Sequence, residues 1–178
     1  MRSLHLSGRP RVTGLDMRRL SEMRQLHTLN LKNNPHITDF GLSHLRELTE
    51  LKSLNLYDCS RISDAGLQHL RGMEKMEVLE LFGGLTITND GIGHLRGMTQ
   101  MRFLMLGGLH RLGDAGLDHL RDRHQLRSLA LWQCSRITDT GLDAFNSLEN
   151  LQRLALEGCH RVTEEKKTQI QARNVLVT

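Results

Sequence analysis

The sequence predicts an α/β solenoid, a right-handed arc or horseshoe with a parallel inner sheet and short outer helices. Units of similar sequence recur with a period of 25 residues, opening at Leu26, Leu51, Met76, Met101, Leu126 and Leu151. Within each unit an alternating leucine stretch gives way to apolar residues at helical spacing. A fixed period of this kind is typical of stacked supersecondary units that share one elongated core.

Each unit opens with a predicted strand. We number the positions of a unit from place 1 to place 25, so that Leu51 is at place 1 of its unit. Places 4 and 6 are leucine in every copy, as at Leu54 and Leu56. Period-two alternation turns these leucines to one face and places 3, 5 and 7 to the other. Strands of successive units should therefore pair in parallel and form one long sheet.

A turn follows the strand, and a short helix follows the turn. Place 9 is Asn34, Cys59, Cys134 or Cys159 in four of the units, where a small side chain can fill buried space and bond the backbone. Pairs such as Ser63-Asp64 supply oxygens suited to capping a helix N-terminus. Place 16 is glycine in five units, which predicts a close approach between neighbouring turns. These glycines are Gly41, Gly66, Gly91, Gly116 and Gly141.

We expect a single domain over residues 1–178. Residues 1–25 form a degenerate first repeat, in which Gly14 and Asp16 replace the usual Asp and Gly; 26–150 form five regular repeats; 151–178 form the last repeat and a C-terminal cap. The segment EEKKTQIQAR predicts a polar helix before a short strand at 175–177. The first repeat is an imperfect cap, part of a longer array or a surface that meets a partner.

Composition excludes several classes of protein. No apolar run is long enough for a membrane span or a signal peptide, so we expect a cytoplasmic or nuclear protein that is not secreted. The net charge of +4 comes from arginines spread over all units and mixed with acidic residues, which argues against a nucleic-acid partner. All three cysteines are at place 9, so packing explains them without a disulfide.

The combined pattern LxxLxLxxC…I-[TS]-D-x-G-L-x-x-L resembles the leucine-rich repeat of the cysteine-containing subtype, and it covers essentially the whole chain. The resemblance implies a fold like that of ribonuclease inhibitor. It also implies a role in protein recognition, since this subtype is typical of the substrate-recognition parts of F-box ubiquitin-ligase subunits. Because no F-box-like helical segment is present, adaptor or ligase subunits would bind through regions outside this chain.

The concave face, formed by places 3, 5 and 7, is the predicted partner-binding surface. Aromatic residues are only 3% of the chain, yet four of the six fall on this face. Large rigid side chains with a polar rim are typical of binding hot spots. The predicted anchors are Tyr57, Phe82, Phe103, Met105 and Trp132, and the predicted rim residues are Lys32, Asn55, Asp58, Glu80 and Gln133.

Two further points about the concave face follow from the sequence. Gly107 and Gly108 predict a shallow pocket beside Phe103. The alternative to a binding surface is that the aromatic side chains contact one another across strands and only stiffen the sheet. In that case the repeats form a structural scaffold without a dedicated ligand.

A row of arginines at place 11 predicts a weaker second site for an anionic ligand or nucleic acid. Its members are Arg11, Arg61, Arg111, Arg136 and Arg161. The alternative is a set of surface ion pairs with the acid three residues on, such as Arg61 with Asp64 and Arg136 with Asp139.

Metal binding and catalysis are not expected. The histidine column His44, His69, His94 and His119 would space its side chains at least a strand apart, too far for ligands about 2.1 Å from one zinc ion. No nucleophile elbow, phosphate-binding loop, HExxH or CxxC occurs. We therefore predict a protein that is not an enzyme and needs no cofactor.

Overall fold

The computed structural model describes residues 1–9 and 12–178, and these form one solenoid. Eight strands form a single sheet in the order of the chain, and every neighbouring pair is parallel. The strands are β1 (Ser3–His5), β2 (Thr28–Asn30), β3 (Ser53–Tyr57), β4 (Val78–Phe82), β5 (Phe103–Gly107), β6 (Ser128–Ala130), β7 (Arg153–Ala155) and β8 (Leu176–Val177). The predicted α/β solenoid with a parallel sheet is confirmed.

The helices form a second layer behind the sheet. They are α1 (Gly14–Leu20), α2 (Asp39–Ser43), α3 (Asp64–Gln68), α4 (Asn89–Gly93), α5 (Asp114–Leu117), α6 (Asp139–Leu142) and α7 (Glu164–Gln171). Short 3₁₀ segments follow α4, α5 and α6 at His94–Gly97, Asp118–Leu120 and Asp143–Phe145. Helices this short are marginal alone, so packing on the sheet must stabilise them.

Register follows the repeat. Leu54 pairs with Leu79, which pairs with Leu104, so residues 25 apart lie side by side. The leucines at places 4 and 6 of β2 to β7 are at most 2% exposed and form one continuous core with the apolar residues of the helices. Inward and outward faces of the strands are therefore as predicted.

Asn and Cys side chains at place 9 donate hydrogen bonds to backbone carbonyls at the turn that follows the strand. The Asn34 amide donates to the carbonyls of Leu6 and Leu31 at 2.9 and 2.8 Å. The thiols of Cys59 and Cys134 likewise donate to place 6 of the preceding unit, Cys59 to Leu31. All three cysteines are free and buried, in agreement with a packing role.

The acidic residue at place 14 joins neighbouring turns. Asp64 accepts bonds from the Thr88 backbone N–H at 2.8 Å and from its hydroxyl at 2.7 Å, and the same pair recurs from Asp39 to Ser63. The hydroxyls of Ser63 and Thr88 also accept a bond from the first turn of their helices, as predicted. The aspartates themselves bond to the following turn, whereas the sequence predicted only that they would cap their own helices.

Glycine at place 16 provides the space for this contact. A β-carbon on Gly91 would lie 2.1 Å from Asp64 Oδ1, and one on Gly66 would lie 2.3 Å from Asp39 Oδ1. The predicted close approach is therefore present. In the first unit this place is Asp16, which instead bonds Thr13 in a capping box.

The two ends of the sheet differ. At the last turn the polar segment forms α7 and the short strand β8 follows it, as predicted. The Lys166 ammonium at the glycine place pairs with Asp143. At the first turn, Leu4 and Leu6 are only partly buried, and Leu15 is 72% exposed. The first turn therefore leaves apolar surface open to solvent.

Candidate functional site on the concave face

The concave face has a column of side chains along place 7, at the carboxyl ends of the strands. Tyr57 pairs with Phe82 in register, and Phe82 pairs with Gly107. The full column is Ser7, Lys32, Tyr57, Phe82, Gly107, Trp132 and Glu157. Because parallel strands place equivalent residues about 4.8 Å apart, neighbouring side chains of this column can contact one another laterally.

Three of these side chains form a stack. The Lys32 ammonium lies 4.3 Å from the centre of the Tyr57 ring, and the Tyr57 and Phe82 rings are parallel within 7° at 4.6 Å. Both rings remain half-buried. A cation on one ring face and a second ring on the other hold Tyr57 in a fixed orientation.

The stack ends at Gly107, which leaves a step in the column. A β-carbon there would lie 2.4 Å from Phe82 Cδ2, so the phenyl ring leans over the glycine. Beyond the step is Trp132, whose indole N–H is out of contact with solvent and has no acceptor within residues 1–9 and 12–178. The column is thus interrupted between two large aromatic side chains.

A cavity of 430 Å³ opens among the aromatic side chains of this column. Its walls are Tyr57, Phe82, Trp132, Gln133, Glu157 and Gly158. Three of the predicted anchors and one predicted rim residue therefore share one concave site. The cavity is large enough to accept a side chain of a partner.

Two predicted anchors lie elsewhere. Phe103 and Gly107 are the two ends of β5, about 13 Å apart along a strand, so Phe103 is remote from the aromatic column. The predicted pocket beside Phe103 is therefore wrong, because the glycines adjoin Phe82 instead. Met105 lies between Glu80 and Ala130 and is only 8% exposed, so it forms the floor of the face and is not an accessible anchor.

The half-buried rim residues combine surface and structural roles. Asn55 Oδ1 accepts a bond from the Tyr57 backbone N–H at 2.9 Å and so fixes the strand under the stack. Burial raises the pKa of the Glu80 carboxyl, and the nearby Lys32 charge only partly opposes this. Glu80 is therefore a carboxylate held on a partly desolvated surface.

Asp58 and Gln133 have a role in the backbone of the turn that the sequence did not predict. Both are at place 8 in the left-handed region, with φ of 56° and 57°, and their N–H groups donate to the next strand, from Asp58 to Phe82 and from Gln133 to Glu157. The signal was available, because place 8 is Gly or Asn in most units. Its members are Gly8, Asn33, Asp58, Gly83, Gly108, Gln133 and Gly158.

Glu157 and Gly158 complete the cavity and were not among the predicted site residues. Glu157 is exposed and has no ion pair among residues 1–9 and 12–178. It shares place 7 with Tyr57, Phe82 and Trp132, and that shared place was the signal that could have found it.

The arginine edge is solvent-exposed. Arg61, Arg111, Arg136 and Arg161 are all exposed, while Arg11 lies outside the described residues. The predicted pairs with Asp64 and Asp139 do not form, because these carboxylates accept bonds from Thr88 and Thr163 of the next turn. In the described part of the chain, none of these four arginines makes an ion pair.

A second cavity, of 610 Å³, lies at the open first turn. Leu4, Leu6, Val12 and Leu20 give it apolar walls, with Asp16 and other polar residues at its margin. It arises because no further turn covers these leucines among the described residues. It is an end of the core rather than a part of the concave site.

No three His, Cys, Asp or Glu side chains converge as metal ligands within residues 1–9 and 12–178. Over the same part of the chain, no helix has both the length and the apolar character needed to cross a bilayer.

Comparison with known proteins identifies the fold. No protein-family model and no curated protein sequence matches the chain. Among solved structures, internalin C2 of Listeria monocytogenes superposes with a TM-score of 0.75 and 25% identity, over 100% of this chain and 70% of that one. A chain of the yeast Rad7 and Elc1 complex gives a TM-score of 0.61 at 18% identity, over 100% and 64%.

An LRR protein of Leptospira interrogans also matches, with a TM-score of 0.57 and 17% identity. The match covers all of this chain and 48% of that protein, so this chain is shorter than the proteins it resembles. One parallel sheet with one strand and one short helix per 25 residues, together with these likenesses, defines a leucine-rich-repeat solenoid.

Proposed function

We propose that this protein is a non-catalytic protein-interaction module that binds a partner on its concave face. The observation that carries the proposal is the cavity at place 7, where Tyr57, Phe82 and Trp132 meet while remaining half-buried. Half the chain's six aromatic residues are thus concentrated at one point of the surface. Partner side chains would bury these rings at low entropic cost, because the stack already holds two of them.

The family resemblance supports one finer version of this proposal. Cysteine at place 9 in three units is the mark of the subtype found in substrate-recognition parts of F-box ubiquitin ligases. The likeness to a chain of the Rad7 and Elc1 complex adds a solenoid of similar shape that occurs in a protein complex. In this version the concave face would hold the substrate, and the ligase subunits would bind through regions outside this chain.

The proposal can be tested by affinity capture with site-directed variants. The tagged chain would be compared with Phe82→Ala/Trp132→Ala in lysate of the source cells, with circular dichroism and thermal unfolding to confirm folding. We expect proteins recovered by the parent chain to be lost from the double variant. They should be retained by Gln100→Ala/Glu149→Ala, which changes two exposed residues away from the strands.

A photo-crosslinking amino acid at Gln133, an exposed residue at the cavity, compared with one at Gln100, would locate the partner. Crosslinks from Gln133 alone are the expected result. Unchanged recovery by a folded double variant, or crosslinks from Gln100 alone, would show that the concave face is not the binding surface.

A second candidate function is the binding of an anionic ligand along the arginine edge. The observation in its favour is that the carboxylates expected to neutralise Arg61 and Arg136 are bonded to the neighbouring turn instead. Binding of this kind weakens steeply with salt. Titration of an oligonucleotide or a polyphosphate from 50 to about 300 mM salt, with Arg111→Ala/Arg136→Ala as the comparison, decides the matter.

A further inference from the structure

The cavity at place 7 has a chemical character that specifies what it can bind. Of the residues around it, three present aromatic rings and only one, Glu157, is an acidic or basic residue. Lys32, the cation nearest the rings, lies on the far side of Tyr57, against the ring face that Phe82 does not contact. Negative charge and aromatic surface therefore meet on the side of the cavity formed by Trp132 and Glu157.

We propose that this cavity binds an arginine side chain presented by an extended segment of the protein partner. The inference rests on the proposed function and adds the chemistry of the partner residue. A guanidinium group can stack on an aromatic face and at the same time form two hydrogen bonds to a carboxylate. The indole ring of Trp132 and the Glu157 carboxylate provide these two features side by side.

Charge complementarity selects this occupant over the others. An acidic side chain would be repelled by Glu157 and would find no cation among the cavity walls. An aliphatic or aromatic side chain would contact the rings but would leave the Glu157 carboxylate without a partner. A lysine would satisfy the charge, but its ammonium group lacks the planar fork with which a guanidinium lies flat on a ring and bonds both carboxylate oxygens at once.

Gly107 lies between the two aromatic parts of the place 7 column and is covered by the Phe82 ring. Any side chain at that position would collide with the Phe82 ring, as the 2.4 Å distance to Cδ2 shows. The next ring in the column is Trp132, two turns further on, because the place between them is glycine. Phe82 and Trp132 both line the cavity, together with Tyr57.

The chain carries its own reporter for this site, because Trp132 is the only tryptophan. Short glycine–serine peptides bearing one arginine, lysine or citrulline would be titrated at matched ionic strength while Trp132 fluorescence and the indole N–H resonance are followed. Concentrations up to about 50 mM cover the millimolar range expected for one anchored side chain. Citrulline has nearly the shape of arginine but no charge.

We expect a saturable response to the arginine peptide, a weaker one to lysine and none to citrulline. Glu157→Gln should weaken arginine binding about tenfold and remove the preference over citrulline. Glu149→Gln, an exposed carboxylate outside the cavity, is the matched control and should change nothing. A response that is absent, equal for citrulline or insensitive to Glu157→Gln would overturn the inference.

The result separates this inference from the proposed function. If capture of a partner requires Phe82 and Trp132 but the arginine probe fails, the concave site stands and its assigned occupant is wrong. If the arginine probe binds but capture survives Phe82→Ala/Trp132→Ala, the cavity is real and the proposed function is wrong.

Discussion

Glu80 is an acidic residue placed where the concave face is partly desolvated. Burial raises the pKa of its carboxyl above the ordinary value of 4.5, so the native state holds its proton to higher pH than the unfolded state does. The protonated Glu80 carboxyl therefore contributes its full stability to the native state below pH 4.5. This contribution is lost as the pH rises through the folded-state pKa.

We accordingly expect Glu80→Gln to increase stability at pH 7 and to have much less effect near pH 4. Urea unfolding followed by circular dichroism across this range measures the difference between variant and parent. Glu149→Gln, which removes an exposed carboxylate, accounts for the general effect of charge. A loss of stability in Glu80→Gln at pH 7 that disappears in acid would mean that Glu80 makes a favourable ionised interaction instead.

The cysteines illustrate a second property set by single residues. Burial raises the pKa of the Cys59 thiol to about 11 and that of Cys134 to about 12, and it also raises the pKa of Cys159. Thiolate is the reactive form, so all three should be inert in the folded protein.

A thiol-labelling experiment at pH 8 tests this expectation. The native protein should react with Ellman's reagent only slowly, and three thiols should appear at once in denaturant. Rapid labelling of any thiol in the native state would contradict the burial of place 9.

At the scale of the element, the contact between place 14 and place 16 determines how closely turns stack. The Asp64 carboxylate is bonded to both the N–H and the hydroxyl of Thr88, and it occupies the space that Gly91 leaves free. Two local features, an acid at the start of one helix and a glycine in the next helix, thus act together to join neighbouring repeats.

Gly91→Ala should destabilise the protein by about 2–4 kcal/mol, because the added methyl group displaces a bonded carboxylate. Gly72→Ala is the matched control, since a β-carbon there meets nothing within 4 Å, and it should be neutral or slightly stabilising. Chemical denaturation of the three proteins measures both effects.

Asp64→Ala provides an independent check on the same joint. Its cost should be smaller in the Gly91→Ala background than in the parent, because the alanine has already broken the bonds it removes. Additive costs would show that the two residues do not act together.

For the whole molecule, stability depends on a core that runs through all turns. Leu104 is 1% exposed and has a turn on each side, whereas Leu4 occupies the same place in the open first turn and is only partly buried. In a stacked array each turn is stabilised chiefly by its neighbours. Equivalent leucines should therefore contribute unequally.

Leu104→Ala should cost about 2–5 kcal/mol. Leu4→Ala should cost less, and His94→Ala, at a half-buried position on the helical side, should cost least. Thermal and urea unfolding give the order. Equal losses for Leu104 and His94 would mean that inner and outer positions have been confused.

Much of the fold was predictable because every unit repeats the same residue types at the same places. Leucine at places 4 and 6 specified the strand faces, and glycine at place 16 indicated the close approach seen at Gly91. The concave location of Tyr57, Phe82 and Trp132 followed from the same alternation. These features depend on neighbours within a unit, and such neighbours can be read directly from the chain.

The details of the site depended on lateral neighbours instead. Phe103 has the right alternation but lies at the other end of its strand, and Met105 is covered by the side chains around it. The Asp64 carboxylate was expected to pair with Arg61 three residues away, yet it bonds Thr88 of the next turn. Whether a side chain bonds a residue of its own turn or a residue of the next turn is decided only when the turns pack together.

The sequence by itself determined the architecture, because a pattern repeated every 25 residues must place like residues beside like and bury one side of every strand. Only the tertiary structure decided where the cavity opens. It did so because the aromatic walls of the cavity, Tyr57, Phe82 and Trp132, belong to three different turns. Such a cavity comes from the fit of side chains on different strands, and no single repeat contains it.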